Sequence, residues 1–408
     1  MHDPGSRTGR SSAAGEGRAA ALRRRRLAAL AGALGLVALL VVAMSALGGG
    51  DDGTPSFVDA GAGDSDAPAE AASGEPVRFT VAASGDFLIH GPVYERAQSY
   101  GGGRKYDFSP MFDQIKPYIE DADLAICHVE TPMGDGPPAG YPVFNTPADL
   151  TDAISSTGWD VCDTASNHTL DQGQAGVDDT IKALDKAGIE HTGSASSAAE
   201  QEEPPIIDVN GVKVAFLAYA EMTNGVPPPK KYSINLAKAP AILEDARAAR
   251  DRGAEAVIVN LHWGEEFVAE PSDSQTKLAK KLTESPDITA LIGQHVHIVQ
   301  PIDTVNDKIV VYGEGNLVSN QTVDCCPEAS QDGLIALLDF VVDADGARVE
   351  STRYVPVFVE HPDYTVQPVG DALDAGDGDA GALRASYERT TDVVGKGPGI
   401  KPDPARLP

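Results

Sequence analysis

Ile288-Thr289-Ala290-Leu291-Ile292-Gly293-Gln294-His295-Val296-His297 runs from a strand-length apolar segment straight into an amide and two imidazoles. Four other segments share this design. Val77–Ala83 leads to Ser84-Gly85-Asp86, Leu124–Ile126 to Cys127-His128-Val129-Glu130, Asp160–Asp163 to Ser166-Asn167-His168, and Val257–Leu261 to His262-Trp263-Gly264-Glu265-Glu266. In a sheet built from such runs the strand ends lie side by side, so residues distant in sequence converge on one crevice. An extended backbone after Gln294 would turn His295 and His297 to the same side, with Val296 facing away. Carboxylate, amide and imidazole together make a mixed O/N donor set suited to Mn²⁺, Fe²⁺ or Zn²⁺. Four of the nine histidines (His168, His262, His295, His297) stand in these segments as prospective site residues, a concentration that points to a binuclear metallohydrolase.

Between the apolar runs lie amphipathic stretches. Asp149–Ser156, Val177–Ala187 and Gln275–Leu282 carry apolar residues at helical spacing. Alternating strands and helices predict βαβ units and parallel pairing. Ile206–Ala218 has a different texture, two β runs separated by Asn210-Gly211, which predicts a hairpin. Pro301–Tyr312 and Leu334–Tyr354 read as further antiparallel pairs, turning near Asn306-Asp307 and Asp345-Gly346. The expectation is a mixed β architecture with helices outside, without internal repeats.

Composition narrows the partners. The 408 residues carry a net charge of −29. Residues 1–50 hold seven arginines and two acidic groups, leaving 25 basic against 59 acidic groups in the remainder. Such a body excludes nucleic acid as a partner, because binding a phosphate backbone depends on Lys and Arg. It fits a solvated acidic surface or a local cleft that concentrates cations. Arg23-Arg24-Arg25-Arg26 followed by the uncharged run 27–47 predicts a single-pass membrane anchor, the basic segment 1–26 staying cytoplasmic and the body extracytoplasmic. A secretory signal cleaved near Ala43-Met44-Ser45 is the competing reading. Residues 48–76 read as a flexible acidic linker, 77–363 as one domain of about 285 residues, and 364–408 as a disordered acidic and Pro/Gly tail. Cys127, Cys162, Cys325 and Cys326 permit three complete pairings; a Cys127–Cys162 bridge and buried free thiols both remain open, and Cys325-Cys326 reads as a loop feature.

Taken together and in order, Gly85-Asp86-Phe87-Leu88, Val129-Glu130-Thr131-Pro132, Ala165 through Asp171, His262-Trp263-Gly264, Pro271 through Gln275, His295 through Pro301 and Gly315-Asn316 resemble the CapA-type capsule synthesis family, also called poly-γ-glutamate biosynthesis proteins. The resemblance runs from about Phe79 to Gln321 and thins towards Glu360. It implies a branch of the calcineurin-like metallophosphoesterases, an α/β fold in which a four-layer αββα sandwich is built from two mixed sheets flanked by helices.

The resemblance also implies roles. Asp86, Glu130, Asn167, His262, His295 and His297 would bind two divalent metal ions (Mn, Fe or Zn), with Glu130 between them. His168 would act as general acid, oriented by Asp171. Trp263 and Glu266 would line the substrate pocket, Glu266 meeting an amine or a hydrated cation. The sequence departs from the phosphoesterase pattern twice: Leu88 stands where a histidine ligand is usual, and Glu130 replaces the bridging Asp. His90, four residues after Asp86, reads as a surface loop residue or as a substitute for that missing ligand, and His128 and His191 match no ligand position. The implied function is a membrane-anchored, extracytoplasmic capsule synthesis protein. It would be a metal-dependent hydrolase acting on an anionic polymer or a small phospho- or γ-glutamyl substrate, with a capsule polymer synthase complex as partner. The alternative is a non-catalytic accessory that holds or exports the polymer beside a membrane synthase.

Overall fold

Val81–Phe87 contains only two polar side chains, Ser84 and Asp86, and is wholly buried, so the strand that carries it lies in the middle of a sheet with both faces covered. The computed structural model describes residues 75–404 except 396 and 398. The strands are β1 Val77–Phe87, β2 Leu124–His128, β3 Val161–Asp163, β4 Glu190–Thr192, β5 Ile206–Val209, β6 Val212–Ala220, β7 Ala256–His262 and β8 Ala290–Gln294. They continue with β9 Ile302–Val305, β10 Lys308–Val311, β11 Asn316–Val318, β12 Asp332–Asp343, β13 Gly346–Glu360, β14 Thr365–Pro368 and β15 Ile400–Pro402. The helices are α1 Gly91–Tyr100, α2 Ser109–Phe112, α3 Lys116–Asp121, α4 Leu150–Thr157, α5 Gly173–Ala187, α6 Ala198–Glu202, α7 Ala239–Asp251, α8 Asp273–Thr283, α9 Val369–Ala375 and α10 Ala380–Val394.

The strands form two mixed sheets. The first is ordered β14-β13-β12-β1-β2-β3-β4, with β11 also beside β1 and β15 beside β13; the second is ordered β5-β6-β7-β8-β10-β9. β1, β2, β3 and β4 are parallel, as are β6, β7, β8 and β10. The predicted hairpins close the second sheet: β5 returns through Asn210-Gly211 and β9 through Asn306-Asp307, all four residues having positive φ. Phe79, Val81, Ala83 and Ile126 of one sheet share a core with Val214, Phe216, Ile258 and Ile292 of the other. Outside the first sheet, α1 (Val93, Ala97), α2 (Met111, Phe112) and α4 (Leu150, Ile154) bury their apolar faces. On the far side of the second sheet α7 and α8 do the same through Ile242, Ala246, Ala279 and Leu282. A capping box between Ser272 and Gln275 starts α8 at Asp273, two residues before the expected Gln275. The result is the expected αββα sandwich.

β1 changes partner part-way. Up to Ser84 it pairs with β12; from Asp86 its neighbour on that side is β11, with Asp86 opposite Asn316. Gly85 stands at the exchange, where a Cβ would run into the Gly315 carbonyl oxygen. On the other side, β2 and β3 bring Cys127 opposite Cys162, and the two form a disulfide; Cys325 and Cys326 form a second.

One expectation is corrected. The stretch from 364 was expected to be a disordered tail, yet its described residues form β14, α9, α10 and β15. The Asp- and Gly-rich run 371–379 misled because its first half, to Ala375, lies in α9 and only 376–379 connect that helix to α10. Asp379 caps α10 by accepting hydrogen bonds from Gly381 and Ala382, and Leu383, Tyr387 and Val394 lie on its buried face. Leu383 and Tyr387 pack with Val369 and Ala372, and Arg389 binds both oxygens of buried Asp332 at 2.7 and 2.9 Å. The basic segment 1–26, the anchor 27–47 and the linker to residue 74 lie outside the described residues. Among the described residues no helix is long and apolar enough to cross a membrane.

Truncation after Asp363 would therefore strip an apolar cluster and leave Asp332 without its cation. Its thermal midpoint is expected to fall by about 10 °C or more, or the chain to be insoluble. Circular dichroism melts of the two lengths check this, and coincident curves would show the segment to be dispensable.

Candidate metal centre

Every prospective ligand sits at or just beyond the C-terminal end of a parallel strand. Asp86 is near the end of β1, Glu130 follows β2, Asn167 follows β3, His262 ends β7, and His295 and His297 follow β8. The first three come from one sheet and the last three from the other, so the site lies where the two layers meet. The donor atoms of Asp86, Glu130 and His297 lie within 4.8 Å of one another, and so do those of Glu130, His262 and His295. The two groups share Glu130. Asn167 Oδ1 is 3.0 Å from His262 Nε2, which attaches it to the second group.

His297 links the carboxylates, its Nδ1 being 3.0 Å from Asp86 Oδ2 and its Nε2 3.7 Å from Glu130 Oε1. Both carboxylate oxygens of Glu130 and Nδ1 of His295 are buried without a hydrogen-bond partner. Leaving such groups unsatisfied is costly, and a cation among them would satisfy all three. The donor set therefore fits divalent metal ions. His295 and His297 reach the site differently from the extended alternation expected of them. β8 stops at Gln294, and the two histidines have φ of 94° and 59°. A left-handed backbone is uncommon outside glycine, and finding it twice marks a turn held in place by its surroundings.

The electrostatics follow from burial. Glu130 is pushed up to about 7 by desolvation, against the pull of His297. His262 is driven well below the usual imidazole range, and His295 down to about 3, by burial and by neighbouring imidazoles. Burial also works against the charged form of His297, but Glu130 and Asp86 outweigh it and raise the group to about 9. His128 behaves likewise: the Asp163 carboxylate overcomes desolvation and raises it to about 9.

His168 and Asp171 lie side by side. His168 Nδ1 is 2.8 Å from Asp171 Oδ2, which also accepts the Phe144 backbone N–H at 2.7 Å. The Phe144 ring lies edge-on to His168, with centroids 4.7 Å apart. Glu266 is exposed, with an oxygen near the donor atoms of His295 and His297. Trp263 is a correction: it lines no pocket. It is fully buried behind the second sheet, stacked on Tyr312 and donating to the Tyr312 carbonyl at 2.9 Å. Alternation along β7 explains this, since Val257, Val259, Leu261 and Trp263 join the outer core while His262 faces inward.

The same alternation reveals what sequence reasoning missed. Asn260, two residues before His262, donates to Asp163 at 2.8 Å and to Gln294 at 2.7 Å. Gln294 in turn donates to Glu314 at 2.7 Å. His128, which matched no ligand position, is fully buried: its Nδ1 is 3.0 Å from Asp163 and its Nε2 3.0 Å from His262 Nδ1. The signal available was a polar residue two positions before an expected ligand, Asn260 before His262 and His128 before Glu130. His90 is half-buried, with Nδ1 accepting from the Asn320 backbone, and it joins no ligand group.

Four layers and a carboxylate–imidazole cluster at the strand ends define an αββα sandwich protein with a candidate metal centre. Residues 80–321 match the family described as bacterial capsule synthesis protein PGA_cap, and the chain belongs to that family. It is 28% identical over 259 residues to the capsule biosynthesis protein CapA of Bacillus anthracis, covering 60% of this chain and 61% of that protein. To the PGA biosynthesis protein CapA of Bacillus subtilis it is 25% identical over 218 residues, covering 52% and 57%. The chain thus spans about three fifths of the length of these curated relatives. Among solved structures, a calcineurin-like phosphoesterase, YfkN of Bacillus subtilis, aligns with a TM-score of 0.44 and 15% identity over 79% of this chain and 100% of that one. A 5'-nucleotidase precursor from Thermus thermophilus aligns with a TM-score of 0.42 and 13% identity over 77% and 59%.

Glu314 provides a test of the buried layer beneath the cluster. It is fully buried and raised to about 8 by desolvation. The folded protein therefore holds this proton more tightly than the unfolded chain, and stability falls as pH rises from the ordinary carboxylate range to about 8. Glu314→Gln removes that loss. In metal-free protein the variant's stability advantage over the wild type is expected to grow by about 1 kcal/mol per pH unit across pH 5–8 and then level off. Urea titrations at several pH values check it; a pH-independent difference would contradict the buried, proton-holding role.

Proposed function

We propose that this chain is a membrane-anchored, extracytoplasmic metal-dependent hydrolase in the metabolism of poly-γ-glutamate or a related anionic surface polymer. The observation that carries this reading is the pair of ligand groups joined at Glu130, whose carboxylate has no hydrogen-bond donor. Asp86, Glu130 and His297 would hold one divalent ion, and Glu130, Asn167, His262 and His295 a second, drawn from Mn, Fe and Zn. When bound, such ions polarise a phosphoryl or acyl oxygen and lower the pKa of a coordinated water. Asp171 fixes the proton of His168 on Nδ1 against the carboxylate, and the Phe144 N–H fixes Asp171 in turn. His168 in its charged form would give its Nε2 proton to the leaving group. Exposed Glu266, at the edge of the cluster, would meet an amine of the substrate. The anchor at 27–47 would hold the domain beside a membrane polymer synthase.

A second reading is a non-catalytic accessory that holds or exports the polymer. It is favoured by Leu88 and Glu130, the two departures from the hydrolase pattern.

Metal analysis of the purified chain, paired with a phosphoester and γ-glutamyl substrate panel, tests the primary reading. About two ions per chain and metal-dependent cleavage are expected. His168→Ala should lower kcat by about 10²–10⁴-fold with metal content unchanged. A chain that takes up no metal and cleaves nothing after Mn²⁺, Fe²⁺ or Zn²⁺ is added would sink it. Full restoration of capsule by His168→Ala in a deletion strain would favour the accessory reading instead.

A further inference from the structure

Asp86 has a polar neighbour in register on each side: His128 on β2 and Asn316 on β11. The nitrogens of His128 are already engaged by Asp163 and His262. Asn316 is different. It is fully buried, and its Nδ2 faces three acceptors, the carbonyl oxygens of Ser330 (2.8 Å) and His297 (3.3 Å) and Gln321 Oε1 (2.8 Å). Two of these are backbone carbonyls, which only accept. The amide therefore cannot turn over, since a flip would set oxygen against oxygen. That leaves Oδ1 aimed at the cluster, 3.1 Å from His297 Nδ1.

The same His297 Nδ1 is 3.0 Å from Asp86 Oδ2. One N–H cannot point well at two acceptors, whereas one cation can be shared by three donors. Donors about 2.1 Å from an ion and at right angles to one another are about 3 Å apart, the spacing of His297 Nδ1 from Asp86 Oδ2 and from Asn316 Oδ1. The group formed by Asp86, Glu130 and His297 is also the one short of a ligand, because Leu88 stands where a histidine is usual.

We propose that Asn316 Oδ1 is a further ligand of the metal held by Asp86, Glu130 and His297, supplying the donor that Leu88 cannot. This rests on the metal reading of the site and deepens it. The shell of the first ion becomes three oxygens and one imidazole, harder than the two oxygens and two imidazoles of the second. That composition suits Mn²⁺ better at the first position than at the second. It also gives the β1 partner exchange a purpose, because Gly85 lets β11 come close enough to set Asn316 beside Asp86.

The experiment is Mn²⁺ binding to the metal-free, full-length chain, followed by calorimetry and by elemental analysis after dialysis, for wild type and Asn316→Ala. Wild type is expected to hold two Mn²⁺. The variant should hold one with unchanged affinity and the other at least tenfold more weakly, with a normal circular dichroism spectrum. A folded variant that binds two ions with wild-type affinity overturns the proposal and leaves the metal reading intact. A wild-type chain that binds none removes the metal reading itself. Should Asn316→Ala fail to fold, anomalous diffraction from Mn²⁺-loaded wild-type crystals decides: a metal about 2.2 Å from Asn316 Oδ1 is expected, and one beyond 3 Å overturns the assignment.

Discussion

Asp86 and Glu130 are both fully buried and within reach of one imidazole, His297. Like charges at that range, without water to screen them, repel strongly, and each also loses its hydration. The rest of the site answers this constraint. Asp86 stays charged because His297, His128 and the His295 backbone N–H together outweigh its desolvation. Glu130 receives no hydrogen bond and is pushed up to about 7. An unpartnered carboxylate in so well packed a place is unfavourable for the metal-free fold, and that makes it informative about what the fold is shaped to hold.

The scaffold makes such a concentration of charge tolerable by placing it at strand ends rather than within a helix or an apolar core. Parallel strands from two sheets terminate together, and each contributes one or two donors from backbone that packing has already fixed. Beneath the cluster lies a polar layer, Asp163, Asn260, Gln294 and Glu314, joined by hydrogen bonds of 2.7–2.8 Å between their side chains. Below that layer the two sheets close over Val81, Ile126, Phe216, Ile258 and Ile292. The chemistry is thus graded from charged through amide to apolar along the strand direction, and period-two alternation keeps the gradient on the inner faces only.

Much of this was legible because apolar runs and their polar ends report strands directly. The five strand ends and the three hairpins follow from periodicity and turn chemistry, and the two-sheet sandwich was what the family resemblance implied. What was missed has a common physical cause. Trp263 was placed in the pocket because it follows His262, although adjacent residues on a strand face opposite ways; the same rule would have found Asn260. His128 was set aside because it matched no ligand, yet a ligand's hydrogen-bond partner must also come from the strand ends. The C-terminal helices were hidden by composition, since a connection rich in Asp and Gly looks like a linker unless the apolar spacing beyond it is weighed. Asn316 stood out only as part of the Gly315-Asn316 motif, with no local sign of a place beside Asp86. Its position depends on β11 replacing β12 beside β1, a pairing between residues 230 apart in the chain.

The acidity of the chain bears on any polymer reading. A body with 25 basic against 59 acidic groups repels a polyanion over the Debye length, about 8–10 Å in physiological salt. Attraction therefore has to be short-ranged and local. Exposed Lys230-Lys231 in the loop after β6 is one source, and cations held by the cluster would be another, acting at contact. An acidic exterior around a cation-holding crevice also concentrates divalent ions from solution, so the feature that disfavours the polymer at a distance helps to load the site that would meet it. On this account the negative surface and the carboxylate-rich centre are parts of one electrostatic arrangement, in which binding of an anionic chain would follow metal occupancy.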